Sequence, residues 1–474
     1  MKKLNNLSEG SFLRLFFLFI SICFMIAAPL MYDRENMFSG LWNIMTHTCK
    51  ISTNYFLLGG LSATFLNMGL VGMFCTMLVS LPGAKPNNVT TLGVLLTIGF
   101  ASWGMNLVNM IPTILGVLLY ALVKKEKPGA MSNAMLYSTG IAPLISDLLF
   151  RYPGTQELGF SWPGFNWLGL GLAIFVGLII GFFLPAGLAH APNIHKGYDH
   201  YSAAVPIGMT AFFLRAALYN VMLGWPLIAS GDAAGLNKLS TMVALDTTAA
   251  LAANIFCLVV FALCILFAFL MGCKPKDYWK LLKDSGHGVS FTTKYGYAPF
   301  LMNVGLFGLM IIGYFNLAGL IDGKDVWTGM TFGIVFCMLA TCNSGSHPGN
   351  VWPIMLGYIV TSYLFAWINS LLVPTGSFTL TIANQSILIG LCYANGLSPI
   401  AGKYGWAYGM LGAALHYLLV TAVPDMHGGF CLYNGGFTAA LICLMFVPQL
   451  EKFCKTKEER KEARLARKAA KAAK

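Results

Sequence analysis

Apolar runs of about 20 residues recur from one end of this 474-residue chain to the other, and that recurrence leaves few folds open. At a rise of about 1.5 Å per residue, such a run is what a helix needs to cross the hydrocarbon of a bilayer. The runs are continuous rather than dyad-alternating, so helices and not barrel strands are the expected spanning elements. Composition agrees: 57% of the residues are hydrophobic and 10% charged, where soluble chains carry about a quarter charged. The longest polar stretches, residues 274–296 and the tail from Glu451, leave no room for a sizeable soluble domain. The expected class is an all-α integral membrane protein.

Charge sets the expected orientation. The tail after Leu450 holds ten Lys or Arg against four Glu, half of the net +12, and residues 274–294 hold five Lys against two Asp. Basic residues beside spans mark the cytoplasmic side, and a basic tail can lie on anionic headgroups. No aromatic or RNA-binding motif is interleaved with this charge, so nucleic acid is not an expected partner. The twelve cysteines form no C-x-x-C pair and fall mostly in apolar runs, as small buried hydrophobes do. Lys2-Lys3 before the first apolar run reads as the start of an uncleaved first helix rather than a signal peptide.

Ten full spans are expected, at 12–32, 55–81, 131–150, 165–189, 202–229, 240–272, 297–321, 379–400, 405–424 and 430–450. Two other apolar stretches differ. Residues 91–123 are interrupted at Gly104-Met105-Asn106, and residues 327–373 at Asn343-Ser344-Gly345-Ser346-His347-Pro348-Gly349-Asn350. With Lys2, Lys3, Lys85, Lys124, Lys125, Lys127 and both basic segments placed inside, the first stretch enters and leaves on the inner face and the second on the outer. Each is then a re-entrant hairpin or a pair of short spans.

Short matches recur in the same order along the chain. Asn67-Met68-Gly69-Leu70-Val71-Gly72 is answered by Asn303-Val304-Gly305-Leu306-Phe307-Gly308. Gly104-x4-Asn109-x2-Pro112-x2-Leu115-Gly116 is answered by Gly345-x4-Asn350-x2-Pro353-x2-Leu356-Gly357. Thr139-Gly140-Ile141-Ala142-Pro143 answers to Asn395-Gly396-Leu397-Ser398-Pro399, and His195-x-Gly197-Tyr198-x2-Tyr201 to His427-x-Gly429-Phe430-x2-Tyr433. Any one match is weak among so many Gly and Leu; four in register imply duplication. The expected organisation is an N-terminal helix and outer loop (1–50), a first repeat (51–235), a linking helix and basic cytoplasmic loop (236–295), a second repeat (296–450) and a basic cytoplasmic tail (451–474). Because the first interruption opens inward and the second outward, the repeats are expected to be inverted, an arrangement common among secondary transporters.

Backbone at membrane depth can break helicity only where it is buried in protein or lines a cavity. Gly permits a tight turn, Pro ends a helix and Asn supplies donors and acceptors. Two half-helix ends meeting near the midplane would offer free N–H groups to a solute. Gly104, Asn106, Asn109, Pro112, Gly345, His347, Asn350 and Pro353 are therefore expected at a substrate site; the plainer alternative is that Gly and Pro only kink helices and let them pack. His195, His427, Arg215 and Asp246 are candidates for gating or coupling. Arg215 and Asp246 are placed to pair across adjacent helices, most simply as a structural ion pair, and the two His loops read otherwise as interfacial turns. Asp147 and Arg151 lie one turn apart as a snorkelling pair, and His416 reads as a satisfied core residue. His190, His195 and His200 cluster, but the second copy keeps only one of them, so no metal is expected.

With its repeated Gly-x4-Asn-x2-Pro elements, the chain resembles a bacterial membrane-protein family known as domain of unknown function 1576 (DUF1576), over nearly its whole length up to the basic tail. The resemblance implies a polytopic bacterial protein and brings no substrate or catalytic residue with it. Copy one departs from copy two at the tip, with Met105-Asn106-Leu107 against Ser346-His347-Pro348. The leading expectation is a secondary transporter for a small polar or anionic solute in the bacterial inner membrane, both termini cytoplasmic, its partners the bilayer, the solute and a homo-oligomer. A channel is the alternative, since paired Asn/Pro half-helices also build pores. An enzyme is less expected: H-E-x-x-H, G-x-S-x-G and an acidic pair are absent, and no G-x4-G-K-[ST] implies a nucleotide or other cofactor.

Overall fold

A computed structural model describes residues 2–51, 53–150, 167–221, 247–372 and 381–472. The described chain is dominated by helices, and eight of them are long and apolar enough to cross a membrane. Four shorter apolar helices accompany these. The architecture is that of an all-α, multi-pass membrane protein.

In the first part of the chain the helices are α1 (Glu9–Ala27), α2 (Met37–Thr46), α3 (Tyr55–Leu58), α4 (Leu61–Leu78), α5 (Asn88–Phe100), α6 (Leu107–Lys124), α7 (Ser132–Ser138), α8 (Ala142–Phe150), α9 (Trp167–His195) and α10 (Ala204–Arg215). In the second they are α11 (Thr247–Leu270), α12 (Pro275–Leu281), α13 (Phe291–Tyr295), α14 (Tyr297–Asp322), α15 (Gly329–Leu339), α16 (Pro348–Leu372), α17 (Gln385–Ala394), α18 (Ser398–Tyr404), α19 (Trp406–Val420), α20 (Val423–Met426) and α21 (Asn434–Phe453). The basic tail forms α22 (Lys457–Ala472), polar and exposed along most of its length.

Two spans expected to be continuous are not. Residues 131–150 hold α7 and α8 joined by a 3-10 turn at Thr139–Ile141, and the described part of 379–400 holds α17 and α18 joined by one at Asn395–Leu397. The reason is local: Pro143 and Pro399 follow these turns, and Gly140 and Gly396 are packed face-on by tyrosine rings. The expected spans 202–229 and 240–272 run partly outside the described residues. The basic segment 274–296 is not a bare loop but carries α12 and α13, just as the stretch before α4 carries α2 and α3.

Each interrupted stretch is a pair of helices, α5 with α6 and α15 with α16. α5 and α15 open with capping boxes, Asn87 with Thr90 and Thr328 with Thr331, which satisfy backbone N–H groups that a helix start leaves orphaned. The two helices lie antiparallel against each other. Asn343 Nδ2 donates to Thr91 Oγ1 (3.1 Å) at one end of the pair, and a Cβ on Gly329 would stand 2.7 Å from Ser102 O at the other. Between these, a Cβ on Gly99 would stand 2.5 Å from Gly333 O, so only glycine permits this approach. Aromatic rings fill the space beside the pair: Phe65 stacks on Phe332 at 5.0 Å, and Phe24 lies 4.5 Å from Phe256.

The outer helices close in the same way. α6 packs on α9 where Gly177 faces Pro112 and Gly181 faces Thr113 O, with no space for a side chain at either glycine. α16 packs on α19, with Gly357 against Met410 and Gly409 near Pro353. Small residues at such crossings let helix backbones approach closely where lipid offers no hydrophobic drive.

Candidate functional site

Each interruption is built by its own asparagines. At the first, Asn106 Oδ1 accepts from Val108 N (3.0 Å) and Asn109 N (3.1 Å), while Asn109 Oδ1 accepts from Asn106 N (3.0 Å). Asn109 Nδ2 donates back to Gly104 O (3.1 Å) and to Ser146 Oγ (3.0 Å). At the second, Asn350 Oδ1 accepts from His347 N (3.0 Å) and Asn350 Nδ2 donates to Gly345 O (2.9 Å). Gly345 has φ +132, and a Cβ there would stand 2.2 Å from Gly286 O, so its identity is fixed by both conformation and space.

A covering loop seals each tip. Asn106 Nδ2 donates to Ile44 O (3.1 Å) and Cys49 Sγ to Gly104 O (3.5 Å). His347 Nε2 bonds to Asp284 O (3.0 Å) and Asn350 Nδ2 to Ser285 O (3.4 Å). Behind the tips stand two more asparagines. Asn67 Nδ2 donates to Ala101 O (2.7 Å) and Met105 O (2.9 Å), and Asn303 Nδ2 to Cys342 O (3.0 Å) and Ser346 O (2.9 Å).

The tips do not meet at the midplane, as the sequence suggested they would. They lie at opposite ends of the antiparallel α5–α15 pair, about 20 Å apart for a 13-residue helix. Gly104, Asn106 and Asn109 stand with Ile44 and Cys49, and Gly345, His347 and Asn350 with Asp284, Ser285 and Gly286. The correction has a physical cause. Buried amides at a helix break must be satisfied, and here the Asn side chains and covering loops supply those bonds. Pro112 and Pro353 face the partner helices α9 and α19, which is the packing role.

The two His loops also lie at opposite ends. His195 bonds to Ser202 Oγ (2.8 Å) and accepts from Gly197 N (3.2 Å), and the adjoining Lys196 pairs with Glu451 at 2.5 Å. His427 is buried edge-on to Phe437, ring centres 5.3 Å apart, in a loop that accepts Ile51 N at Gly429 O (2.9 Å). Arg215 lies against Gly428 at that same end, and its Nε finds no hydrogen bond among the described residues. Asp246, its expected partner, lies outside the described residues, as does Arg151. Asp147 accepts from Thr48 Oγ1 (3.1 Å), and His416 is satisfied by Tyr358 Oη (2.6 Å) and Gly435 O (2.9 Å), the core role expected of it.

A cavity of about 480 Å³ opens where the His195 loop meets the second tip. Its wall is made by the start of α5 (Asn88, Val89, Leu92), by Asn133 and Tyr137 of α7, by Ser290 and Ser344, and by Asp199 and His200. Tyr137 Oη donates to Val89 O (2.7 Å) and Thr90 Oγ1 to Asn133 Oδ1 (2.8 Å), which fixes α7 against α5. Asp199 is 2% and His200 9% exposed. Asp199 Oδ1 accepts from Tyr201 N (2.9 Å), whereas Oδ2 and His200 Nε2 have no hydrogen-bond partner among the described residues. Burial pushes the Asp199 carboxyl up to about 7. Burial, then the nearby His195, His287 and His347, holds the His200 imidazole down to about 3.

Sequence reasoning passed over Asp199 and weighed His200 only as a metal ligand. The signal lay in a difference between the two matched loops: where 195–201 has Asp199-His200, 427–433 has Cys431-Leu432.

A family model described as protein of unknown function (DUF1576) matches residues 33–222 and 271–452. The chain belongs to this family. Membership covers both sets of tip asparagines, both His loops and the cavity wall. Comparison with curated proteins and with solved structures found no match.

Proposed function

We propose that this DUF1576 protein is a secondary transporter that moves a small polar solute across the bacterial cytoplasmic membrane by alternating access, and that it is built from two inverted repeats. The observation that carries the reading is a set of hydrogen bonds that recur at opposite ends. Asn67 and Asn303 each donate to two tip carbonyls. Asn109 and Asn350 each close a Gly-x4-Asn turn. His200 N donates to Gly396 O (3.1 Å) and Leu432 N to Gly140 O (2.9 Å), so each copy's loop reaches the other copy's broken helix. Two like halves of opposite sense, clasped through antiparallel broken helices, can exchange conformations and so expose one cavity to either side in turn.

In this reading the solute occupies the cavity beside Tyr137, Asp199, His200 and Ser344, and the tip asparagines are the rigid parts on which the halves rock. The direct contact of Gly99 with Gly333 supports a closed partition over a standing pore. The test is a thermal-stability screen of the purified protein against a metabolite and ion library, followed by uptake of each stabilising compound into proteoliposomes. Saturable uptake is expected, and it should be lost in Asn109→Ala and Asn350→Ala protein that still inserts. Flux that never saturates and ignores every ion gradient would replace the transporter with a channel.

A further inference from the structure

We propose that Asp199 is the coupling site: it takes a proton from the cavity and gives it up again as the two halves exchange, so that a proton gradient drives the solute. This rests on the transporter reading above.

The geometry singles out this group. Asp199 sits in a loop between two helices, buried at the wall of the 480 Å³ cavity, with Oδ1 held by Tyr201 N and Oδ2 without a partner among the described residues. No cation pairs with it among the described residues. A buried, unpaired carboxylate is costly unless it protonates. The scaffold does not require that cost. The equivalent loop at the other end makes the same backbone bond, Leu432 N to Gly140 O, and sets the same tyrosine against the same glycine, with Cys431 in place of the acid. A Cβ on Gly140 would stand 2.6 Å from the Tyr433 ring, and one on Gly396 2.6 Å from the Tyr201 ring. Fold symmetry therefore accounts for the tyrosine, the glycine and the backbone bond, and leaves Asp199 and His200 as the departure from it.

The surroundings suit proton exchange. From the end of α9 comes His195, and from the turn after it Lys196, engaged by Glu451 of α21; from the 284–290 segment His287, bonded to Lys196 O (2.9 Å); from the second tip His347. Lys403 of α18 lies over the Tyr198 ring, and Cys443 of α21, Tyr201 and the cavity-lining Tyr137 are further titratable neighbours. His200, adjacent in the chain, leaves Nε2 unpartnered, a neutral relay for a proton passing between carboxyl and cavity water. Burial that places the carboxyl near 7 makes both protonation states accessible at cellular pH.

The experiment needs no known solute for its first part. Infrared difference spectra of purified full-length protein are taken as pH rises from 5 to 9 in deuterated buffer. The expected result is the loss of a protonated-carboxyl C=O band near neutral pH, absent from Asp199→Asn. A spectrum with no such band, or the same band in Asp199→Asn, overturns the assignment. The second part uses a compound from the stabilisation screen in proteoliposomes with an imposed pH gradient. Asp199→Asn is expected to lose gradient-driven accumulation at least tenfold while still eluting as folded, monodisperse protein. Undiminished gradient-driven uptake in Asp199→Asn overturns the proposal and leaves the transporter standing. A wild-type protein that shows the band but carries no screened compound overturns the transporter reading instead.

Discussion

The loops at residues 195–201 and 427–433 have one architecture and two chemistries. Both end a long stretch of helix, both present a backbone N–H to a glycine carbonyl of a broken helix, and both wedge a tyrosine against that glycine. In the first loop the side chains at the crossing are a carboxyl and an imidazole; in the second, a thiol and an isobutyl group. The difference teaches how to separate scaffold from function when no substrate is known. What recurs answers to packing and backbone satisfaction, and what fails to recur, at a cost in burial, answers to something else.

The comparison breaks first at the shared crossing. Gly333→Leu puts a side chain where a Cβ already meets Ser102 Oγ at 2.1 Å and Gly99 O at 2.2 Å. Neither helix can yield without separating the halves, so no folded, monodisperse protein is expected by fluorescence-detected gel filtration. Recovery of folded protein would show that α5 and α15 are not locked together.

Next in size are Asn67→Ala and Asn303→Ala, each of which strips donors from two buried carbonyls. A loss of about 2–4 kcal/mol is expected for both, read as a fall in apparent melting temperature. Near-equal falls support the equivalence of the two tips, and a fall confined to one would end it.

Asp199→Asn sharpens the comparison through pH. A carboxyl raised to about 7 by burial favours the folded state fully below about pH 4, and that contribution is lost as pH rises through about 7, by about 4 kcal/mol. His200, lowered to about 3, acts in the opposite sense: its contribution is present above about pH 6.5 and lost as pH falls toward 3. Asp199→Asn should therefore melt higher than wild type at pH 8 and not at pH 4. Cys431→Ser, at the equivalent place, should show no such crossover. Parallel melting curves for Asp199→Asn and wild type at all pH values would contradict the raised carboxyl.

Smallest of all is Lys196→Ala. Its bond to Glu451 is largely exposed, so solvent screening leaves it within about 0.5 kcal/mol. A larger loss would mean that this end of the first His loop is held more tightly than its surface position implies.

Much of this was legible before any coordinates. Periodicity and length gave spanning helices, because lipid requires every backbone group to be satisfied within its own segment. The short matches marked out Asn67 and Asn303, Asn109 and Asn350, and Gly140 and Gly396, which make equivalent hydrogen bonds, although the His195 and His427 side chains are bonded differently. Identical backbone problems select the same Gly and Asn. The breaks at Gly140 and Gly396 stand in the sequence as matched motifs, yet mean hydropathy averages them into continuous spans. A 3-10 turn of three apolar residues leaves no trace in a mean.

The rest belonged to the tertiary structure. Sequence alone determined that the chain is an all-helical membrane protein with two sets of matched interruptions, because burial in lipid and backbone satisfaction act locally. Only the fold decided that the tips stand at opposite ends of one helix pair, that covering loops bond to them, and that Asp199 and His200 line a cavity with residues 288–290 and 344. Those facts depend on which segments, hundreds of residues apart, come to lie side by side, and no local pattern encodes that.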